Sequence, residues 1–173
     1  MTEIRTFSPR MTEAWLNAQE LHFRETDEGF IVPFGRGELG EPAMMFAISA
    51  EGPTGEVLVV RSSFDRQYPL SVRPALQAIA DEYNRHFRFV TAITVGDDEA
   101  AVVGGDFQVD LGGGTFPAQV GRQLGLAMES AVGLRTWLTE HAAELVEGLV
   151  PDQELDADLE RLFAGEFDDP AAA

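Results

Sequence analysis

The sequence predicts an α+β fold, an antiparallel sheet with three helices in the order αββββαββα. Two patterns carry this. Short runs rich in Val, Ile, Phe and Thr are separated by Gly-containing turns, as in consecutive hairpins. Three longer stretches repeat apolar residues at spacings of three and four, as helices do, and each has a Pro near its start. The 173 residues, 45% hydrophobic and 24% charged, suit one compact domain with one core.

The elements follow in order. Ser8-Pro9 opens a helix over about 9–22, with the Ser8 oxygen expected to cap it and Met11, Trp15, Ala18 and His22 forming its apolar stripe. HFRET and FIVPF then form two short strands around Asp27-Glu28-Gly29. After a Gly- and Pro-containing loop at 35–42, AMMFAISA and EVLVVRSSF flank the turn EGPTG, giving four strands. A second helix starts at Tyr68-Pro69-Leu70-Ser71, with Ser71 as cap and Leu76, Ile79, Ala80 and Tyr83 as stripe, and ends near His86. FVTAITV and AAVVGGDFQVDL are strands joined by the acidic turn Gly96-Asp97-Asp98-Glu99, and Gly104-Gly105 invites a bulge in the second. Thr115 is expected to cap a final helix of about 25 residues, striped by Val120, Leu124, Ala127, Ala131, Leu134 and Leu138.

Residues 147–173 carry nine acids and one Arg, a net of −8, against a net of −10 for residues 1–146. This composition shift divides the chain into a domain, 1–146, and an acidic C-terminal tail, 147–173. Within the tail Leu155, Leu159, Leu162 and Phe163 keep helical spacing, so an acidic amphipathic helix forms there only if something covers its apolar side.

Composition removes much chemistry. The chain has no Cys, and all twelve basic residues are Arg. Disulfides, thiolate nucleophiles, cysteine-ligated zinc and Schiff-base lysines are therefore absent. The net charge of −18 argues against nucleic acid and against anionic membrane surfaces as partners. The N-terminal MTEIRTFSPR has no hydrophobic stretch for a signal peptide, so a cytoplasmic location is expected.

Each candidate site has an ordinary reading that outweighs the chemical one. His22, His86 and His141 could ligate a metal, but each falls at a predicted helix end, where an imidazole pairs with exposed carbonyls and the helix dipole. DLGGGT at 110–115 lies between strand and helix but lacks the Lys and spacing of a phosphate loop. Asp97, Asp98 and Glu99 lack the alternating oxygen pattern of a calcium loop, and Ser62, Ser63 and Ser130 lack a nucleophile-elbow context. Trp15 and Trp137 read as core anchors, and Asn84 as a helix-end or sheet-edge hydrogen-bonding residue. No catalytic, cofactor-binding or metal-ligating residue is therefore assigned.

These features resemble the YbjN-type proteins, grouped with the type III secretion chaperone-like fold. The resemblance rests on Trp15-Leu16, HFRETDEGFIVPF, PALQAIADEYNRHFRF with Asn84 before a basic-aromatic run, FVTAITVGDD, AAVVGGDFQVDLGGG and the closing helix from Phe116 to about His141. It covers about residues 8–141, and the Arg-, Ala- and Gly-rich composition points to an actinobacterial branch. It implies helices packed on one face of a twisted antiparallel sheet, commonly a homodimer, and a non-enzymatic chaperone-like or regulatory role in binding a peptide or partner protein. The negative charge would favour basic clients. The alternative from another class is a small metal-dependent hydrolase built from scattered acids and His. Trp137 and Leu138 near the end of the last helix are further reasons to expect a homodimer.

Overall fold

The computed structural model describes residues 4–35, 42–96, 100–142 and 145. The acidic turn at 97–99, most of the 35–42 loop and the tail stripe of Leu155, Leu159, Leu162 and Phe163 lie outside the described residues. The elements are α1 (Pro9–Ala18), β1 (Arg24–Thr26), β2 (Gly29–Phe34), β3 (Met44–Glu51), β4 (Val57–Phe64), β5 (Tyr68–Pro69), a single 3-10 turn (Leu70–Val72), α2 (Arg73–His86), β6 (Thr91–Gly96), β7 (Ala100–Asp110) and α3 (Pro117–His141). The predicted order αββββαββα is present, with the short β5 and the 3-10 turn added before α2.

One antiparallel sheet runs β1-β2-β3-β4-β7, with β6 on the outer edge of β7. The two residues of β5 continue along the edge of β7 beyond the point where β4 leaves it. Because side chains alternate across a strand, the registers put Val32, Phe46, Ile48, Leu58, Val60, Val103 and Phe107 on one face, all buried. The helices cover this face: α3 lays Val120, Leu124, Ala127, Ala131, Leu134 and Leu138 into the shared core. Each of the Val and Leu side chains stabilises the fold by about 1.5–3 kcal/mol, and the two Ala allow close approach.

The opposite face carries Arg61, paired with Glu51 (2.6 Å) and within 3.5 Å of Asp106 directly across on β7. The Arg61 hydrogen bond, with a second one from Ser49, holds the Glu51 carboxyl below the usual carboxylate range.

Gly104-Gly105 makes no bulge, because β7 keeps one register with β6 from residue 101 to 106. The pair serves close approach instead. A Cβ on Gly104 would lie 2.5 Å from the Ser62 carbonyl oxygen, and one on Gly105 would lie 2.6 Å from both Ser62 Oγ and Val90 Cγ1. Ser62 is the last β4 residue paired with β7, and its hydroxyl accepts from the Gly105 N–H (3.1 Å).

Helix boundaries depart from expectation in two ways. First, α1 stops at Ala18, four residues early, because Glu20 takes a left-handed conformation (φ 54°). Glu20 N–H then donates to Asn17 O and Leu21 N–H to Leu16 O, a Schellman closure that folds Leu21 back onto the core. A Gly would have marked this stop, and none is there. Second, none of the three expected caps forms: Ser8 makes no side-chain cap bond, Ser71 lies within the 3-10 turn, and Phe116 rather than Thr115 precedes α3. Each helix has Pro in its first two positions, Pro9, Pro74 or Pro117, which sets φ and removes one N–H that would need a partner.

Helix α1 crosses α3 at two glycines one turn apart. A Cβ on Gly121 would sit 2.4 Å from the Trp15 ring, and the indole also reaches Gly125. Trp15 is thus an anchor between helices, as expected of it.

Candidate functional site

A cluster of aromatic side chains lies where the C-terminal ends of α2 and α3 meet. Arg85 and His86 occupy the last turn of α2, where positive charge suits the helix dipole. Arg88 Nη1 donates back to the Asn84 carbonyl (3.0 Å), and Phe87 N–H to the Tyr83 carbonyl (2.9 Å), which closes the helix. Asn84 turns its side chain to β6 and bonds both backbone groups of Ala92. The chain between, Phe87-Arg88-Phe89, is held at the surface, with Phe87 46% and Phe89 60% exposed.

From α3, Trp137 meets this segment. Its ring centroid lies 5.6 Å from that of Phe87 and 6.1 Å from that of Tyr83, both edge-on, and Phe87 in turn stacks on Tyr83 at 4.6 Å. His141, one turn later, stacks on Trp137 at 3.7 Å and 14°. Its Nδ1 lies 2.9 Å from the Trp137 carbonyl, which can only accept, so Nδ1 carries the proton. His86 lies on another side, 6.2 Å from Trp137. Trp137 Nε1 is buried with no hydrogen-bond partner among the described residues. Burial raises the Tyr83 phenol above its ordinary pKa, and the hydroxyl remains a donor to Ser130 O at 3.2 Å.

Charge at the rim is mixed but locally basic for this chain. Glu82 accepts from His86 Nε2 (2.8 Å) and pairs with Arg85. These partners, His86 first and Arg85 second, hold its carboxyl below the usual range. The run Arg85-His86-Phe87-Arg88-Phe89 gathers two of the twelve Arg and one of the three His into five residues.

The three His are therefore not equivalent. His86 and His141 are brought to one tryptophan, while His22 falls four residues beyond the end of α1 and is exposed, not at a helix end as expected. Among the described residues no group of three or more His, Asp or Glu is placed to hold a metal ion. Ser62 is committed to Gly105, and Ser63 is exposed on its strand. The sequence reading missed the aromatic cluster as a site because Trp137 lies 50 residues from Phe87. The basic-aromatic run after Asn84 was its visible half.

Two other features are structural. Asp65, nearly buried, receives Arg135 of α3 through Nη2 at 3.0 and 3.1 Å and Nε at 3.3 Å. A cleft of about 220 Å³ between α1 and the β1–β2 turn is walled by Thr12, Phe30 and Ile48 together with Glu25, Asp27 and Glu28.

Residues 8–140 match the family model YbjN, whose description reads "Putative bacterial sensory transduction regulator". The fold is similar to a solved structure described as "Crystal structure of YbjN, a putative transcription regulator from E. coli", with a TM-score of 0.64 and 14% identity. That likeness covers 81% of this chain and 96% of the other. No curated protein sequence matches the chain. No helix among the described residues is long and apolar enough to cross a membrane.

Proposed function

The chain belongs to the YbjN family, and from that premise we propose that it is a non-enzymatic regulatory module that binds a peptide or partner protein at the joined ends of α2 and α3. One observation carries the proposal: Phe87 stands half-exposed against Trp137, with the exposed Phe89 two residues along the same segment, and Asn84 ties that segment to β6 at Ala92. Large aromatic side chains supply most of the energy in peptide and protein recognition, and a rigid platform spends little of it on ordering.

The chemistry of this contact differs from that of the whole chain. Net charge governs the approach of a partner and favours basic clients at long range. At the surface itself Arg85, His86 and Arg88 flank the rings, which favours an acidic residue next to an apolar one. Leu138, one of two residues that suggested a homodimer, is buried within its own chain. Trp137 alone of the two remains partly exposed, and the proposal gives the surface around it to a client. The proposal places this role in the bacterial cytoplasm.

Selection of random peptides displayed on phage against the full chain tests the reading, with Phe89→Asp as the counter-target. Peptides pairing apolar and acidic residues should be enriched on the parent chain and lost on the variant. Enrichment that is equal on both proteins would place binding elsewhere.

A further inference from the structure

We propose that the acidic C-terminal segment of this same chain, residues 152–169, docks on the aromatic surface formed by Phe87 and Trp137 and continued by the exposed Phe89, and competes there with the client. The inference rests on the binding surface proposed above and adds its regulation.

Three observations support that occupant. The first is position: α3 ends at His141, which stacks on Trp137, and Leu145 packs against the domain's core, so the segment is tethered to the helix that carries this surface. The stripe begins ten residues later at Leu155, a span that reaches at most roughly 33–36 Å when extended. A tether this short gives an effective concentration on the order of millimolar, so even weak docking keeps the surface largely occupied.

The second is shape. Leu155, Leu159, Leu162 and Phe163 fall on one side of a helix, an apolar ridge of the kind that lies in an aromatic-lined groove. Alone in water such a short helix is marginal, and docking supplies the missing cover.

The third is charge. The segment carries Asp152, Glu154, Asp156, Asp158, Glu160, Glu166, Asp168 and Asp169 against one Arg161, while the receiving surface is flanked by Arg85, His86 and Arg88. Glu82 already neutralises part of that surface through Arg85 and His86, whereas Arg88 bonds only backbone carbonyls among the described residues. The contact should therefore weaken with salt.

The test keeps the full chain and replaces Leu155, Leu159 and Leu162 by Asp. The protein has two tryptophans, Trp15 in the α1–α3 crossing and Trp137 at the proposed surface. Docking predicts that the triple substitution moves the Trp137 indole N–H resonance and leaves that of Trp15 in place. It also predicts that a synthetic peptide of residues 150–169 binds the triple variant about tenfold more tightly than the intact chain, and that Phe89→Asp removes this binding. An unmoved Trp137 signal, or equal peptide affinity for both chains, overturns the docking while leaving the client surface to its own phage test. A Trp137 shift that depends on protein concentration assigns the contact to a second copy and likewise overturns it.

Discussion

The carboxamide of Asn84 makes both outward hydrogen bonds of Ala92: Nδ2 donates to the Ala92 carbonyl at 3.0 Å, and the Ala92 N–H donates to Oδ1 at 2.8 Å. Ala92 stands opposite Gly105 on the outermost strand, with its N–H and C=O turned away from the sheet. A helix residue thus takes the place of a neighbouring strand, and it also fixes the turn that presents Phe87 and Phe89. Asn84→Ala leaves a buried donor and acceptor unpaired, and should lower stability by about 2 kcal/mol in urea denaturation. Asn84→Asp keeps only the acceptor and should recover part of that loss at most. Parent-like stability of Asn84→Ala would contradict the role.

Two glycines of α3 should respond oppositely to the same change. Gly133→Ala meets nothing within 4 Å and gains helix propensity, so stability should rise by about 0.5–1 kcal/mol. Gly121→Ala gains the same propensity but drives its Cβ into the Trp15 ring, and overpacking of about 1–3 kcal/mol should outweigh it. Thermal denaturation of the two variants should bracket the parent; a rise in both would show that the α1–α3 contact yields freely.

The Asp65–Arg135 pair ties the end of β4 to α3. Asp65 is 8% and Arg135 30% exposed, so water screens only one partner well. Asp65→Asn should cost about 2 kcal/mol, within the range for hydrogen bonds to charged groups. The double variant with Arg135→Met should recover part of this, because it removes the stranded charge. A double variant less stable than Asp65→Asn alone would argue against the pairing.

Acid titration should separate Glu82 and Glu51 from ordinary carboxylates. Both carboxyls are held below the ordinary glutamate range in the folded chain, Glu82 by His86 and Arg85, Glu51 by Arg61 and Ser49. Depressed values mean that their contribution to stability is present above the unfolded value and is lost as pH falls through the lowered folded values. The groups are exposed, so the effect is read better by carboxyl NMR than by unfolding. Midpoints below those of ordinary exposed glutamates are expected, rising in His86→Ala for Glu82 and in Arg61→Ala for Glu51. Midpoints unchanged by these substitutions would contradict the assigned causes.

Local spacing in the sequence determined the three helices, the six main strands and the antiparallel order, since periods of two and of three to four are properties of neighbouring residues. It also marked Asn84 as a helix-end or sheet-edge hydrogen-bonding residue, of which the structure shows the second, and Trp15 as an anchor. Ser8-Pro9 marked the start of α1 correctly, but the side-chain caps expected of Ser8, Ser71 and Thr115 do not form, and α1 ends before the left-handed Glu20 with no Gly to announce it. Gly104-Gly105 signalled an unusual place, but whether it meant a bulge or a close approach depended on Ser62, some 40 residues away. The site was beyond local reading for the same reason. Phe87 and His86 meet Trp137 and His141 only because α2 and α3 pack on one face of one sheet and end together, and that is a matter of tertiary register, which no spacing along the chain encodes.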